Sequence, residues 1–255
     1  MMEQVESEGN NKKRVQGGKT TTELVLSTYM EGNEFVFPKI LQLHVPLDAV
    51  VADVTYGKGI FWKNVPKEAY KLLATDIMTG VDCRSLPYTD ESIDCEVLDP
   101  PYAEGFFRRS KTQSGALTGS HDAFWKRYGN HKRPVVSEGP KYYDVVLDLY
   151  FKAGQEAKRV LRKGGVFIVK CQDQVSANKQ RLLHVDLINY YEPLGFYTKD
   201  LFVVVRSNKP CVSRLVTQVH ARKNHSYFLV FVKKSGQSHS EVEKGRSGKE
   251  VAEAK

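Results

Sequence analysis

The chain has 255 residues and a net charge of +8, with the apolar, charged and aromatic fractions of an ordinary soluble globular protein; it is long enough for one domain with a full core plus tails. No apolar run approaches the ~20 residues of a membrane span. The polar N-terminus lacks a signal peptide's apolar stretch, and Cys83, Cys95, Cys171 and Cys211 are scattered without a Cys-x-x-Cys pair, so a disulfide framework and a zinc site are disfavoured and a cytoplasmic location without a bound metal is the expectation.

Residues 1–19, rich in Glu, Asn, Lys, Gly and Gln, read as a disordered tail ahead of one domain over 20–234. A short helical pattern over 20–30 is followed by a second over 39–44, with Pro38 suited to its first turn. Residues 48–53 read as a buried strand ending in Asp53, followed by Thr55-Tyr56-Gly57-Lys58-Gly59 and a helix from Ile60. A strand, a Gly-rich turn and a helix make the usual site for a nucleotide-like ligand at the strand's carboxyl end. There Gly57 and Gly59 admit a ligand close to the backbone, while Lys58 and the helix N-terminus favour a carboxylate or phosphate. Trp62 stands where a third glycine of a dinucleotide fingerprint would fall, which disfavours NAD or FAD.

A second strand, 70–75, ends at Asp76, placed to bind the two hydroxyls of a ribose with Ile77 beside it; a lone Asp there would more simply cap the following turn. Asp82 and Cys83 pass the same rim, Asp82 able to accept from an adenine amine and the Cys83 amide able to meet the ring. Cys83 itself reads as a packing residue, with no His near it in sequence. A third apolar run, 93–98, leads into Asp99-Pro100-Pro101-Tyr102. Two prolines hold this turn stiff and extended, so that the Asp99 carboxylate and the Pro100 carbonyl can both accept from one planar amino group while Tyr102 covers a flat heterocycle. Such acceptors favour the pyramidal amine, whose lone pair can attack an electrophile. A plainer reading makes the motif a stiff turn after a core strand.

Residues 103–141 mix eight basic residues with aromatics; Arg108, Arg109, Lys111, Trp125, Lys126 and Arg127 suit a loop that grips phosphates and stacks bases. From 201 to 240 there is no acid, but Arg206, Arg214, Arg222 and Lys223 are present, again the footprint of a polyanion partner, although a basic solvated surface would look the same. Helical spacing is clearest over 142–162, stopping at Lys163-Gly164-Gly165. A strand over 166–170, a helix over about 179–193 and two closing strands, 196–206 and 227–232, complete the pattern, and the closing pair is near enough in sequence to run antiparallel. His225 reads as a structural hydrogen-bonding residue, and 235–255 as a second disordered tail.

These motifs resemble the S-adenosylmethionine-dependent amino-methyltransferases of DNA, which methylate adenine N6 or cytosine N4. The run from Asp53 to Gly59 is similar to their cofactor motif, and Asp99-Pro100-Pro101-Tyr102 to their catalytic motif in the form commoner among adenine enzymes. Leu161-Arg162-Lys163-Gly164-Gly165-Val166-Phe167 resembles the strand entry after that motif, residues 222–231 the closing hairpin, and Phe35-Val36-Phe37-Pro38-Lys39 the N-terminal motif beside the methionine end of the cofactor. Val54 and Thr55 stand where the family more usually has Pro and Phe, and a separate target-recognition domain of the size seen in restriction-linked members is not expected.

The resemblance spans roughly 35–233 and implies an α/β, Rossmann-like class I methyltransferase fold, with a seven-stranded, mostly parallel sheet whose last strand is antiparallel. It implies S-adenosylmethionine as cofactor, held by Phe37, Asp53, Thr55, Tyr56, Gly57, Lys58, Gly59, Asp76, Ile77, Asp82 and Cys83, with Asp99, Pro100, Pro101 and Tyr102 catalytic. It implies DNA as partner, the target base flipped out of the duplex. RNA is the nearest rival, through guanine N2 methylation of tRNA, since similar acid-Pro-Pro-Tyr turns serve there. A protein glutamine amide gives no role to the basic aromatic segment, and a non-catalytic nucleic-acid binder with a relic fold gives none to the acids at the strand ends.

Overall fold

The computed structural model describes residues 24–102, 143–206 and 217–235. Its elements in chain order are β1 (Thr28–Tyr29), α1 (Asn33–His44), β2 (Val50–Asp53), a 3-10 helix (Ile60–Asn64), β3 (Lys71–Ala74), β4 (Ile93–Leu98), α2 (Tyr143–Val160), β5 (Leu161–Cys171), β6 (Gln174–Ser176), β7 (Lys179–Arg181), α3 (Leu183–Leu194), β8 (Phe196–Val205) and β9 (His225–Lys233). Seven strands form one sheet in the order β1-β8-β9-β5-β4-β2-β3, and β6 pairs with β7 in a separate hairpin. Within the large sheet β9 alone runs antiparallel, to both β5 and β8, as the sequence leads one to expect. No helix among the described residues is long and apolar enough to cross a membrane.

The central strands are apolar on both faces because both faces are covered. Val51, Val97, Ile168 and Val230 point to the face covered by α1, with Val36, Phe37, Ile40 and Leu41. Ala52, Leu98, Phe167, Val169 and Leu229 point to the other, where α2 presents Val146, Tyr150, Ala153 and Ala157 at helical spacing and α3 presents Leu183, Leu187 and Tyr191. From β2 the chain moves outward to β3, then returns past β2 to β4. The connections leaving β2 and β4 therefore diverge at their carboxyl ends, the place where open α/β sheets bind ligands.

Several elements differ from the sequence expectation. The helix expected over 20–30 is replaced, in its described part, by an extended segment whose Thr28 and Tyr29 pair in parallel with Val203 and Val204. Backbone partners offered by the sheet outweigh a weak local helical preference. Helix α1 starts at Asn33 rather than 39, which puts Pro38 inside it. Proline cannot donate to the carbonyl of Glu34, and the Asn64 side chain takes that acceptor instead, at 3.0 Å. The helix expected from Ile60 is a single five-residue 3-10 turn, so the helix dipole invoked for anion binding is not present there. Lys163-Gly164-Gly165 is an irregularity within β5 rather than a simple helix stop: the β4–β5 register shifts there, and Gly164 takes a φ of 75°. Residues 179–181 belong to the hairpin rather than to α3, with Ala177 and Asn178 both at positive φ in its two-residue turn.

Candidate active site at the carboxyl edge of the sheet

Asp53 ends β2 and is 3% exposed. The Trp62 indole donates to its Oδ2 at 2.7 Å, and the Thr55 amide donates to its Oδ1 at 3.1 Å. Burial pushes the Asp53 carboxyl up to about 7, against the pull of those donors. Thr55 in turn accepts the Asp99 amide proton on its hydroxyl at 2.6 Å. One side chain thus ties the turn after β2 to the turn after β4, across the point where the two connections part. Thr55, a departure from the motif that the sequence resembles, has a definite job here.

The Gly-rich turn is shaped by its glycines. Gly57 and Gly59 take φ values of 53° and 64°, which L side chains rarely adopt. The Tyr56 phenol lies where a Cβ on Gly59 would project, whereas the nearest atom to a Cβ on Gly57 is Thr55 O, at 3.9 Å. The Gly57 amide donates to Asp76 Oδ2 at 2.9 Å, linking the ends of β2 and β3. Asp76 Oδ1 accepts from the Met78 and Thr79 amides at 2.7 and 3.0 Å, so this acid does cap its own turn, with Ile77 exposed in it. Lys58 is exposed.

Asp82 forms a bidentate pair with Arg84, 2.6 Å at its shortest, and that guanidinium holds the carboxyl below its usual range. Cys83 is buried and its thiol is pushed up to about 12 by desolvation, a packing residue and not a nucleophile. Phe37 is fully buried, its ring centroid 5.2 Å from those of Phe61 and Trp62. A recess of about 350 Å³ beside the loop is lined by Tyr56, Gly59, Trp62, Lys63, Lys67 and Tyr70 among others, and does not reach Asp99.

In the Asp-Pro-Pro-Tyr turn Pro100 is buried, while Asp99, Pro101 and Tyr102 are partly exposed. Arg206, beyond β8, donates to the Tyr102 hydroxyl at 2.9 Å. This arginine, expected to contact phosphate, is thereby part of the motif's own framework. Arg222 and Lys223 precede β9, Arg222 exposed and Lys223 partly so. Arg108, Arg109, Lys111, Trp125, Lys126, Arg127 and Arg214, with the expected tails over 1–19 and beyond 235, lie outside the described residues.

Two features escaped the sequence reading. Lys170, at the end of β5, is 1% exposed beside Asp99's strand. The only hint was a lysine closing an otherwise apolar run. Asp173, just past β5, accepts His184 Nδ1 at 2.7 Å and the Tyr227 hydroxyl at 3.3 Å, and Tyr227 meets His225 Nε2 at 2.8 Å. His225 is structural, as expected, but as the outer member of this chain joining β5, α3 and β9. No group of three or more His, Cys, Asp or Glu that could hold a metal occurs among the described residues.

Neither a family model nor a curated protein matches the sequence. Solved structures do. A 1,6-didemethyltoxoflavin-N1-methyltransferase from Burkholderia thailandensis, bound to S-adenosylhomocysteine, aligns over 80% of each chain at 13% identity with a TM-score of 0.50. TrmN from Thermus thermophilus aligns over 79% of this chain and 50% of its own at 14% identity, TM-score 0.42. For a candidate DNA modification methylase, also from Thermus thermophilus, the figures are 77% and 59%, 14% and 0.36, so this chain spans less than two thirds of that protein. The sheet order and the first of these alignments give the chain the Rossmann-like fold of the class I methyltransferases.

Proposed function

We propose that the chain is an S-adenosylmethionine-dependent methyltransferase acting on an exocyclic amino group of a DNA base, adenine N6. The observation that carries this reading is the hydrogen bond from the Asp99 amide to Thr55, which fixes the Asp-Pro-Pro-Tyr turn against the Gly-rich turn at the topological switch point. Amine acceptor and cofactor cradle are thereby neighbours, as methyl transfer in line requires.

The residues present fit the cofactor at the loop. A Cβ on Gly57 would meet only Thr55 O, in ordinary contact at 3.9 Å, which leaves its turn room to receive the amino-acid end, with Gly59 and Lys58 beside it. Asp76 Oδ2 spends one hydrogen bond on Gly57 and keeps acceptor capacity for a ribose hydroxyl. On the adenine side, Ile77 and the Cys83 backbone form the rim, and Asp82 must share its carboxylate with Arg84. When bound, the cofactor supplies an activated methyl group, leaving the protein to position and to accept. Asp99 and the Pro100 carbonyl accept the target amine's hydrogens, and Tyr102, braced by Arg206, covers the base. Arg222 and Lys223 hold phosphate, together with the basic residues of 103–141.

The test is transfer of labelled methyl from S-adenosylmethionine to duplex DNA, single-stranded DNA and tRNA, with identification of the modified nucleoside. N6-methyladenine in DNA is the expected product, and N2-methylguanine in tRNA would replace this reading with its nearest rival. Asp99→Ala should abolish transfer and leave cofactor affinity within about threefold, under 1 kcal/mol. Loss of cofactor binding instead would reassign Asp99.

A further inference from the structure

Strands β4 and β5 run parallel with Val97 opposite Ile168 and Leu98 opposite Val169, and Asp99 and Lys170 are the residues that follow this last pair. Val97 and Ile168 belong to the α1 side of the sheet, Leu98 and Val169 to the α2 side. Strand alternation continued by one residue directs Asp99 and Lys170 to the α1 side together.

Lys170 has no route to solvent, being 1% exposed, and its Nζ has no hydrogen-bond partner among the described residues. It stands 3.8 Å from the ring centroid of Phe228, its partner on β9, with Phe61 and Phe37 packed around that ring at 5.3 and 6.2 Å. A ring face offsets only part of the cost of a desolvated ammonium, which calls for an anion. The Asp99 carboxylate accepts no hydrogen bond among the described residues, and Asp99 directly follows the last residue of β4. Burial pushes Asp99 up and Lys170 down, and each opposes the other's shift through its charge.

The remaining titratable groups around the pair are Asp53 on β2, Tyr102, Tyr150 on α2, Cys171 on β5 and Arg206 beyond β8. Arg206 is the second cation acting on Asp99, but it is exposed to solvent and tied to the Tyr102 hydroxyl. From the covering elements, the rings of Phe37 and Phe61 pack on the Phe228 ring that Lys170 faces, and Trp62 packs on Phe37.

We infer that Lys170 is a positioning residue for the transfer, its buried ammonium keeping the Asp99 carboxylate ionised and turned toward the target amine; this rests on the methyl-transfer reading above. In the step, the amine lone pair forms the N–CH3 bond as the S–CH3 bond breaks, and that bond's electron pair stays on sulfur. The resulting N-methylammonium returns to a neutral amine by giving one proton to Asp99. The charge of Lys170 keeps that carboxyl acidic enough to pass the proton on to water.

The experiment uses the full chain, wild type and Lys170→Met, with 13C-labelled aspartate carboxyls followed by NMR over pH and the Asp99 signal assigned from Asp99→Asn. Removing the cation should raise the Asp99 midpoint by about one pH unit, a tenfold gain in proton affinity. The acidic limb of the methyl-transfer pH profile should move with it, at unchanged KM for S-adenosylmethionine. A midpoint that stays in place overturns the inference, and if KM alone rises Lys170 is a cofactor anchor instead. Should Lys170→Met not fold, Asp99→Asn with 13Cε-labelled lysine gives the reciprocal measurement. There the Lys170 midpoint should fall by about one pH unit, a tenfold loss of proton affinity, and one that does not move again overturns the pairing. A shifted midpoint in a protein that methylates no nucleic acid sinks the methyl-transfer reading and leaves the pair standing.

Discussion

Two carboxyls inside the sheet, Asp53 and Glu96, each contribute stability that falls as pH rises. Asp53 has a native value of about 7 against an ordinary 3.8, so between those values the folded state holds a proton that the unfolded chain has released. Its contribution is complete below about pH 4 and is lost as pH climbs through 7. Glu96, fully buried on β4 with both oxygens unpartnered among the described residues, is shifted the same way by desolvation and by Glu156. Denaturant unfolding should therefore give a lower midpoint at pH 8 than at pH 5. Glu96→Leu should flatten that slope and add roughly 1–3 kcal/mol at pH 8, and a variant weaker than wild type there would show that Glu96 has a partner. Neither Glu96 nor Lys170 was legible in the sequence. A charged residue in an apolar strand is read as an edge or rim position, because sequence carries strand period but not how many layers cover the strand. Asp53, Asp76 and Asp99 were legible because each stands at the end of an apolar run, where the chain must turn.

At the scale of elements, α2 and α3 meet so closely that Gly154 faces the Tyr191 ring with no room for a side chain. The Tyr191 hydroxyl donates to the Tyr150 carbonyl at 2.7 Å, and its ring also packs on Phe167 and Phe231, so it cannot retreat. Gly154→Ala, which would favour an isolated helix, should here cost about 1–3 kcal/mol in urea unfolding. A stabilised variant would mean that the ring has somewhere to go. Long elements with strong periods, α2 and the β8–β9 pair, were readable from their spacing. Short ones were decided by tertiary partners instead. Residues 28–29 became a strand because β8 offered backbone groups, and α1 runs through Pro38 because Asn64 takes the stranded Glu34 carbonyl. No local propensity contains either fact.

For the molecule as a whole, the charge of +8 is the property most open to a simple measurement. If the carboxyl edge meets nucleic acid, the apparent affinity for a short duplex should fall steeply with salt. Arg222→Ala combined with Lys223→Ala should lower the log–log slope by about two for two lost phosphate contacts. An unchanged slope would place the polyanion elsewhere on the surface. The fold that presents this edge followed from the order of strands and turns, whereas the path of β1 did not.

That path has a further outcome. By lying along β8, Thr28 and Tyr29 cover a row of main-chain donors and acceptors that would otherwise be a template for a foreign strand. A chain trimmed of residues 1–30 should keep its circular dichroism yet scatter light as dimers or larger species. The stretch ahead of α1 would then be a guard against self-association, whatever reaction the other margin performs.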